Sequence, residues 1–407
     1  MNERKQSFCR FLSAVLLACF LFPALPSLAE EEEEISFVDV TKPPAANPAQ
    51  QETEPAVKMP TGTVIQQEDG SVILTLTAVG DITIGRNVQH SGKSIYTKEL
   101  EKQKNDINFI FRNVKDIFQA DSVTIANFEG VLADTYSIPS NKKNNQFLFL
   151  APPEYASVLS DNGVEMVTIE NNHIGDFGSD GIRSTSEALE KEGVLWANAE
   201  HMAEYTISGV HICLLGYQTL NQPYTSDELL RNIVRPKVAE IRKQDQENNR
   251  HTIIVVYYHW GEELDYSPKQ NQIDLGRGTI DDFEHGGETV EGADLVLGAH
   301  SHRINPIEQY KGKYIVYSLA NCSFAGNNKP SDMYTFIFQN RIKIKNAKIL
   351  QNSFRIIPCR ISSRKDYNDF AITPLTEQTN IDTVINTLKS AASRLEYAVD
   401  KYPLQWE

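Results

Sequence analysis

Apolar residues follow two rhythms along this chain: short runs rich in Val, Ile and Leu, and longer stretches in which they return every three or four positions. β-branched runs of roughly four to eight residues fit buried strands, and the wider spacing fits helices that pack by one face. Strands are therefore expected at Val72 to Val79, Ser122 to Asn127, Val164 to Ile169, Leu195 to Asn198, Tyr205 to Gly216, Thr252 to His259, Ala293 to Gly298 and Tyr314 to Leu319. Helices are expected at about Ile107 to Gln119, Pro153 to Asp161, Asp180 to Glu192 and Lys237 to Glu247. Strands and helices that alternate in this way point to an α/β domain. Farther on, Met333 to Phe338 and Ile342 to Ile361 read as antiparallel edge strands, and Ile381 to Tyr397 as a closing helix.

The first seventy residues break this rhythm. Arg4, Lys5 and Arg10 precede an apolar core from Phe11 to Pro23, and Ser27-Leu28-Ala29 offers small residues for cleavage, so 1–29 is expected to be a signal peptide. The chain is then exported, to the extracellular space or the outer face of the cell membrane. Left uncleaved, the segment would act as an anchor, although it is short against the roughly 20 residues of a spanning helix. Cys19 resembles a lipoprotein acylation site, but apolar Phe20-Leu21-Phe22 follows it where a polar residue would suit. Residues 30–70 open with five Glu and continue with Pro43, Pro44, Pro48 and Pro55, the composition of a disordered acidic linker. The folded part is expected from Ser71, with 71–330 as the main domain and 331–407 completing it.

Composition narrows the partners. The 407 residues carry 54 acidic and 39 basic side chains, a formal charge of −15, with no basic block beyond the first ten residues, which argues against nucleic acid as a partner. Of five cysteines, cleavage would leave Cys213, Cys322 and Cys359, too few and too scattered for a disulfide framework.

Candidate chemistry gathers at the ends of the expected strands. Five apolar runs close on metal-type side chains: Ala-Val-Gly-Asp81, Ala-Asn127-Phe-Glu129-Gly, Ile-Glu170-Asn171-Asn172-His173, Val-Tyr-Tyr-His259-Trp-Gly and Leu-Gly-Ala-His300-Ser-His302. Strand tips of an α/β sheet open into the crevice where ligands bind. Oxygen and imidazole donors suit a divalent cation such as Zn²⁺, Mn²⁺ or Fe²⁺. Each segment has a plain reading: Asp81 as a turn residue or cap, Asn127 and Glu129 as loop polar groups, His259 as a hydrogen-bonded core histidine. Recurrence outweighs these. His300-x-His302 is the most specific piece, because alternate residues of an extended segment point the same way.

Six motifs stand in order: Val-Gly-Asp81-Ile-Thr-Ile-Gly-Arg86, Asn127-Phe-Glu129-Gly, Asn171-Asn172-His173 with Asp176, His259-Trp260-Gly261, Gly298-Ala-His300-Ser-His302, and Tyr317-Ser-Leu-Ala-Asn321. Over about residues 73–330 the chain resembles the CapA-type capsule-biosynthesis family (the PGA_cap domain), associated with poly-γ-glutamate and similar in fold to calcineurin-like metallophosphatases. The resemblance implies a four-layer α/β/β/α sandwich and a centre of one or two divalent ions. Asp81 and His302 would hold one ion, Glu129 would bridge, and Asn172, His259 and His300 would hold the other. His173 would act as general acid. Asp176 would orient His173 or, equally, cap the helix expected near Gly178.

The chain departs from the pattern in places. Thr83 stands where metallophosphatases usually carry a further His, Glu129 replaces the usual bridging Asp, Ser301 stands where Pro is common, and Ala320 and Cys322 interrupt the usual Gly-Asn-Phe ending. Two functions follow from the resemblance. One is a surface hydrolase or transferase, phosphoesterase-like, acting on a phosphoester or on an amide of a γ-glutamyl polymer. The other is a non-catalytic factor that binds a polyanionic surface polymer or membrane synthetase subunits during assembly and export.

Overall fold

The strand Val72–Ile82 is the axis of the larger of two sheets in this computed structural model, which describes residues 62–89, 92–142 and 147–406. The expected signal peptide and most of the expected linker lie outside those residues. Of that linker, 62–70 is described, and Ile65–Gln66 pairs antiparallel with Val72 and Ile73, so ordered backbone begins ahead of Ser71.

The larger sheet runs, by strand, Thr373–Pro374, Lys348–Arg360, Tyr334–Lys345, Val72–Ile82, Val123–Phe128, Met166–Thr168 and Leu195–Ala197, with Asn321–Ser323 also pairing beside Val72–Ile82. The second sheet runs Ile307–Tyr310, Lys313–Val316, Leu295–Ala299, Thr252–His259, Val210–Gln218 and Ala203–Ile207. Val72–Ile82, Val123–Phe128 and Met166–Thr168 are mutually parallel, as are Val210–Gln218, Thr252–His259 and Leu295–Ala299. Their carboxyl ends therefore emerge at one end of each sheet, where the candidate residues lie.

Period-two alternation divides each strand between two cores. Leu74, Leu76 and Ile125 of the larger sheet meet Ile212, Leu214, Val255 and Leu297 of the second, forming the core between the sheets. On the outer face of the larger sheet, Val79, Ala126 and Val167 pack against Phe109, Phe118, Val158 and Leu189 from helical segments. On the outer face of the second, Leu215, Val256 and Val296 meet Leu229, Val238, Ile241 and Leu275. The order is helix, sheet, sheet, helix: the four-layer α/β/β/α sandwich that the family resemblance implies.

Several elements differ from expectation for identifiable reasons. The stretch 107–119 is a 3₁₀ turn, Ile107–Ile110, followed by a short helix, Lys115–Gln119. Phe109 and Phe111, two apart, would lie on nearly opposite sides of one α-helix, yet both are buried. A broken path brings both into the core. The expected strand Tyr205 to Gly216 is a hairpin, Ala203–Ile207 with Val210–Gln218, turned by Ser208 and Gly209, both with positive φ. Tyr334–Lys345 is no edge strand. It pairs with Val72–Ile82 on one side and Lys348–Arg360 on the other, so its Phe336 and Phe338 enter one core and Ile337 another. The helix Gln270–Ile280 escaped the sequence pattern because it carries Gly276 and Gly278. A Cβ on Gly278 would stand 2.5 Å from Leu230 Cδ2, so the residue that weakens the helix signal also lets this side chain pack close.

Candidate metal centre

Asp81 is carried into place by the residue before it. A Cβ on Gly80 would fall 1.8 Å from the Ala320 carbonyl oxygen, so only glycine lets the Asn321–Ser323 strand close against Val72–Ile82. Asp81 is then fully buried at the sheet end. Its Oδ1 accepts from Asn127 Nδ2 at 2.8 Å, and its Oδ2 accepts from the His300 backbone N–H at 3.3 Å and lies 3.1 Å from His302 Nδ1. Asn127 is held in turn by Asn171, whose Nδ2 donates to Asn127 Oδ1 at 3.0 Å and to the Phe128 carbonyl at 2.8 Å.

Glu129 follows the strand Val123–Phe128 and reaches the middle of the cluster. Its Oε1 lies 3.6 Å from His173 Nε2 and 3.8 Å from His259 Nε2. Its Oε2 is buried without a hydrogen-bond partner among the described residues. Ligand atoms of Asp81, Glu129 and His302 all lie within 4.8 Å of one another, a candidate metal triad. On the other side of Glu129, His259 Nε2 lies 2.8 Å from Asn172 Oδ1 and 3.1 Å from His300 Nδ1. The six residues expected as ligands thus come together in two groups with Glu129 between them.

His300 and His302 achieve this differently from the extended alternation expected. Both adopt positive φ, 96° and 53°, a backbone that non-glycine residues avoid. The kinks send the two rings apart, His300 towards His259 and His302 towards Asp81. Ser301 between them donates to the Arg303 carbonyl and meets Ser318 Oγ, both at 3.0 Å, fixing the turn.

His173 stands at the rim. Its Nδ1 lies 2.6 Å from Asp176 Oδ2, and Asp176 Oδ1 accepts from Lys142 Nζ at 2.9 Å. The helix Gly178–Lys191 starts from Phe177 with no side-chain cap, so the capping role of Asp176 is excluded and the orienting contact is what the fold builds. Thr83 is committed elsewhere: its hydroxyl donates to the Ser323 carbonyl at 3.1 Å and accepts from the Ala325 N–H at 2.8 Å.

Charge states follow from this packing. Burial, then the Asp81 carboxylate, pushes Glu129 up to about 7. Burial and the neighbouring imidazoles hold His259 well below its ordinary value, and burial with His302 brings His300 down to about 4. Burial opposes protonation of His302, but Glu129 and Asp81 outweigh it and raise it to about 9. Burial likewise opposes protonation of His173, and the Asp176 hydrogen bond with the Glu129 charge raises it. Two neutral imidazoles, an amide oxygen and a carboxylate with an orphaned oxygen are the donor set a divalent cation selects, so the residues present fit a metal. Glu129, His173 and His302 line a cavity of about 270 Å³ walled by Phe147, Phe149 and Phe324. A larger cavity of about 460 Å³, lined by Tyr224, Asp227, Asn271 and Asp274, contains none of these groups.

Sequence reasoning passed over Asn171, Lys142, Arg303 and the role of Asn321, whose Oδ1 lies 3.0 Å from His302 Nδ1. Asn171 and Asn321 sat inside the quoted motifs. Lys142 lies in a polar loop with no distinguishing pattern.

The chain matches known proteins over much of its described length. A family model described as "Bacterial capsule synthesis protein PGA_cap" matches residues 75–325. The chain is 29% identical over 262 residues to a Bacillus subtilis (strain 168) protein named "PGA biosynthesis protein CapA", covering 62% of this chain and 63% of the relative. It is 27% identical over 273 residues to the Bacillus anthracis "Capsule biosynthesis protein CapA", covering 62% and 60%. The match therefore spans about three-fifths of these relatives' own length. A crystal structure of a hypothetical protein from Thermus thermophilus aligns with 70% of this chain and 99% of its own, at 12% identity and a TM-score of 0.37.

Proposed function

The chain belongs to the bacterial capsule synthesis family PGA_cap, and from that premise we propose that it serves the synthesis or export of a capsular polymer such as poly-γ-glutamate, as a metal-dependent hydrolase or transferase. Asp81, Glu129 and His302 would hold one divalent ion, and Asn172, His259 and His300, with Glu129 shared, a second. Mn²⁺, Zn²⁺ and Fe²⁺ all accept such donors. When bound, the ions would supply Lewis-acid polarisation of the scissile group and acidify water.

The observation that carries catalysis rather than binding alone is the His173–Asp176 pair at 2.6 Å. Asp176 occupies Nδ1, so Nε2 is the nitrogen left to face Glu129 and the cavity. Raised basicity favours the protonated ring, and the ring delivers its proton from Nε2 to a departing oxygen or nitrogen. Phe149, edge-on to His173 at 5.8 Å, keeps water from one side of the ring. A phosphodiester or a γ-glutamyl amide fits this scheme, and membrane synthetase subunits would be the partners.

The same reading takes the chain outside the cytoplasm, on the basic, apolar and small-residue succession of residues 1–29. Among the described residues no helix is long and apolar enough to cross a membrane.

The test is turnover by the metal-loaded chain on chromogenic phosphodiesters and on γ-glutamyl polymer. His173→Ala should keep its metal and lose at least about 10²-fold in rate. If wild type turns over neither, and His173→Ala restores capsule to a deletion strain that His259→Ala does not, catalysis is excluded and the centre binds polymer.

A further inference from the structure

Arg303 follows His302 directly and lines the same cavity, 6% exposed. Its Nη1 donates to the His302 carbonyl at 2.9 Å and its Nη2 to Ser331 Oγ at 2.7 Å, both neutral acceptors. These use two of the five N–H donors of a guanidinium, and a further one reaches the Tyr266 side chain. Among the described residues Arg303 forms no ion pair, whereas the similarly buried Arg242, 7% exposed, has Asp294 at 2.8 Å and Asp245 at 3.4 Å. One acidic candidate on the cavity wall is engaged elsewhere: Asp332 Oδ2 accepts from Tyr266 OH at 2.7 Å, and the Tyr266 ring lies 5.7 Å from the Arg303 guanidinium carbon.

A buried cation with no carboxylate in ion-pair contact is costly, and a guanidinium held in place by these contacts presents its remaining donors to an oxyanion. Glu263 and Asp332 share the cavity wall and disfavour a multiply charged ligand. Phe147, Phe149 and Phe324 add apolar surface. We propose that Arg303 is a specificity-determining residue that binds a singly charged oxyanion, a carboxylate or a phosphodiester, beside the metal centre and discriminates against phosphomonoester dianions. This rests on the reading of the cavity as the substrate site, but not on turnover.

The experiment is calorimetric titration of the full-length, metal-loaded protein with three probes: a γ-glutamyl dipeptide capped to a single carboxylate, bis(p-nitrophenyl) phosphate, and p-nitrophenyl phosphate above its second pKa of about 6. Wild type should bind at least one monoanion more tightly than the dianion. The carboxylate and diester arms identify which source supplies the anion. Arg303→Gln should weaken monoanion binding at least about tenfold at unchanged metal content, with Arg303→Lys between. Ser331→Ala, which removes one brace and keeps the charge, should bind like wild type. Equal binding by Arg303→Gln with metal retained would overturn the proposal and leave Arg303 as a loop brace. If Arg303→Gln fails to fold, wild type decides: preference for the dianion, or no binding of either monoanion, overturns it. Arg303-dependent binding without turnover would uphold the subsite while catalysis fails.

Discussion

His173 Nδ1 and Asp176 Oδ2 lie 2.6 Å apart across one turn of loop, and Lys142 holds the other Asp176 oxygen at 2.9 Å. The carboxylate therefore acts on the imidazole and not on the helix that follows. Burial lowers the basicity of His173, while Asp176 and Glu129 more than reverse it. Asp176→Asn should lower the His173 pKa, seen directly by NMR titration of the ring. Activity that needs the protonated ring should then fall off at lower pH, by about 10-fold or more near neutrality, with metal content unchanged. An unaltered titration would remove Asp176 from the mechanism.

The two-group ligand arrangement predicts metal dependence. Elemental analysis of reconstituted wild type should find about one to two equivalents of a transition metal, and less than about a tenth of an equivalent would contradict the centre. Changing His300 and His302 together to Ala takes a donor from each group, so metal should be lost while circular dichroism keeps its mixed α/β signature.

Gly80→Ala should act on the site through the backbone. Its Cβ would meet the Ala320 carbonyl oxygen at 1.8 Å, and that oxygen also accepts from the Asp81 N–H at 2.9 Å. A backbone atom cannot swing aside as a side chain can. A loss of about 3 kcal/mol or more in denaturant unfolding is expected, together with weakened metal binding. Gly278→Ala meets only the end of Leu230 and should cost less, with metal binding intact.

Two buried carboxylates at the opposite end of the larger sheet give the fold a pH dependence separate from the site. Asp121, just before Val123–Phe128, is pushed up by burial to about 8, and Glu165, just before Met166–Thr168, by burial to about 7. Their folded values lie above the unfolded ones near 4. The folded state thus binds more protons in between, so stability falls as pH rises from about 4 and levels off above about 8. Asp121→Asn should flatten this dependence, melting higher than wild type at about pH 9 and close to it near pH 5, as scanning calorimetry would measure.

Much of this arrangement was legible in the chain because parallel strands buried on both faces must be continuous apolar runs. Thr252–His259 matches the apolar run that announces it, and its last residue is a donor. What was not legible depends on contacts distant in sequence. Phe109 and Phe111 both being buried breaks a helix that periodicity favours. His300 and His302 converge on the cluster by left-handed kinks, which no spacing rule encodes. Nothing local distinguishes Asp176 as an orienting group from Asp176 as a cap, since both readings want a short acid before a helix. Arg303 carries no motif, and its lack of an ion pair among the described residues appears only once Asp332 is seen held by Tyr266.

Thr83 separates a missing ligand from a structural bond. The resemblance to metallophosphatases implies a His there, and an empty coordination position would leave the side chain free to be replaced. Here the residue is fully buried and its hydroxyl joins the Val72–Ile82 strand end to Ser323 and Ala325. Thr83→Val keeps the shape but leaves the Ala325 N–H without its acceptor, at a cost of about 1–3 kcal/mol. Metal content should not change, because no donor is removed. Thr83→His would break the same two bonds and crowd Asn321–Ser323, so it should destabilise further and gain no metal. A Thr83→His variant that folds as well as wild type and binds an additional equivalent, measured by elemental analysis beside the unfolding curve, would show instead that the position is an open ligand site.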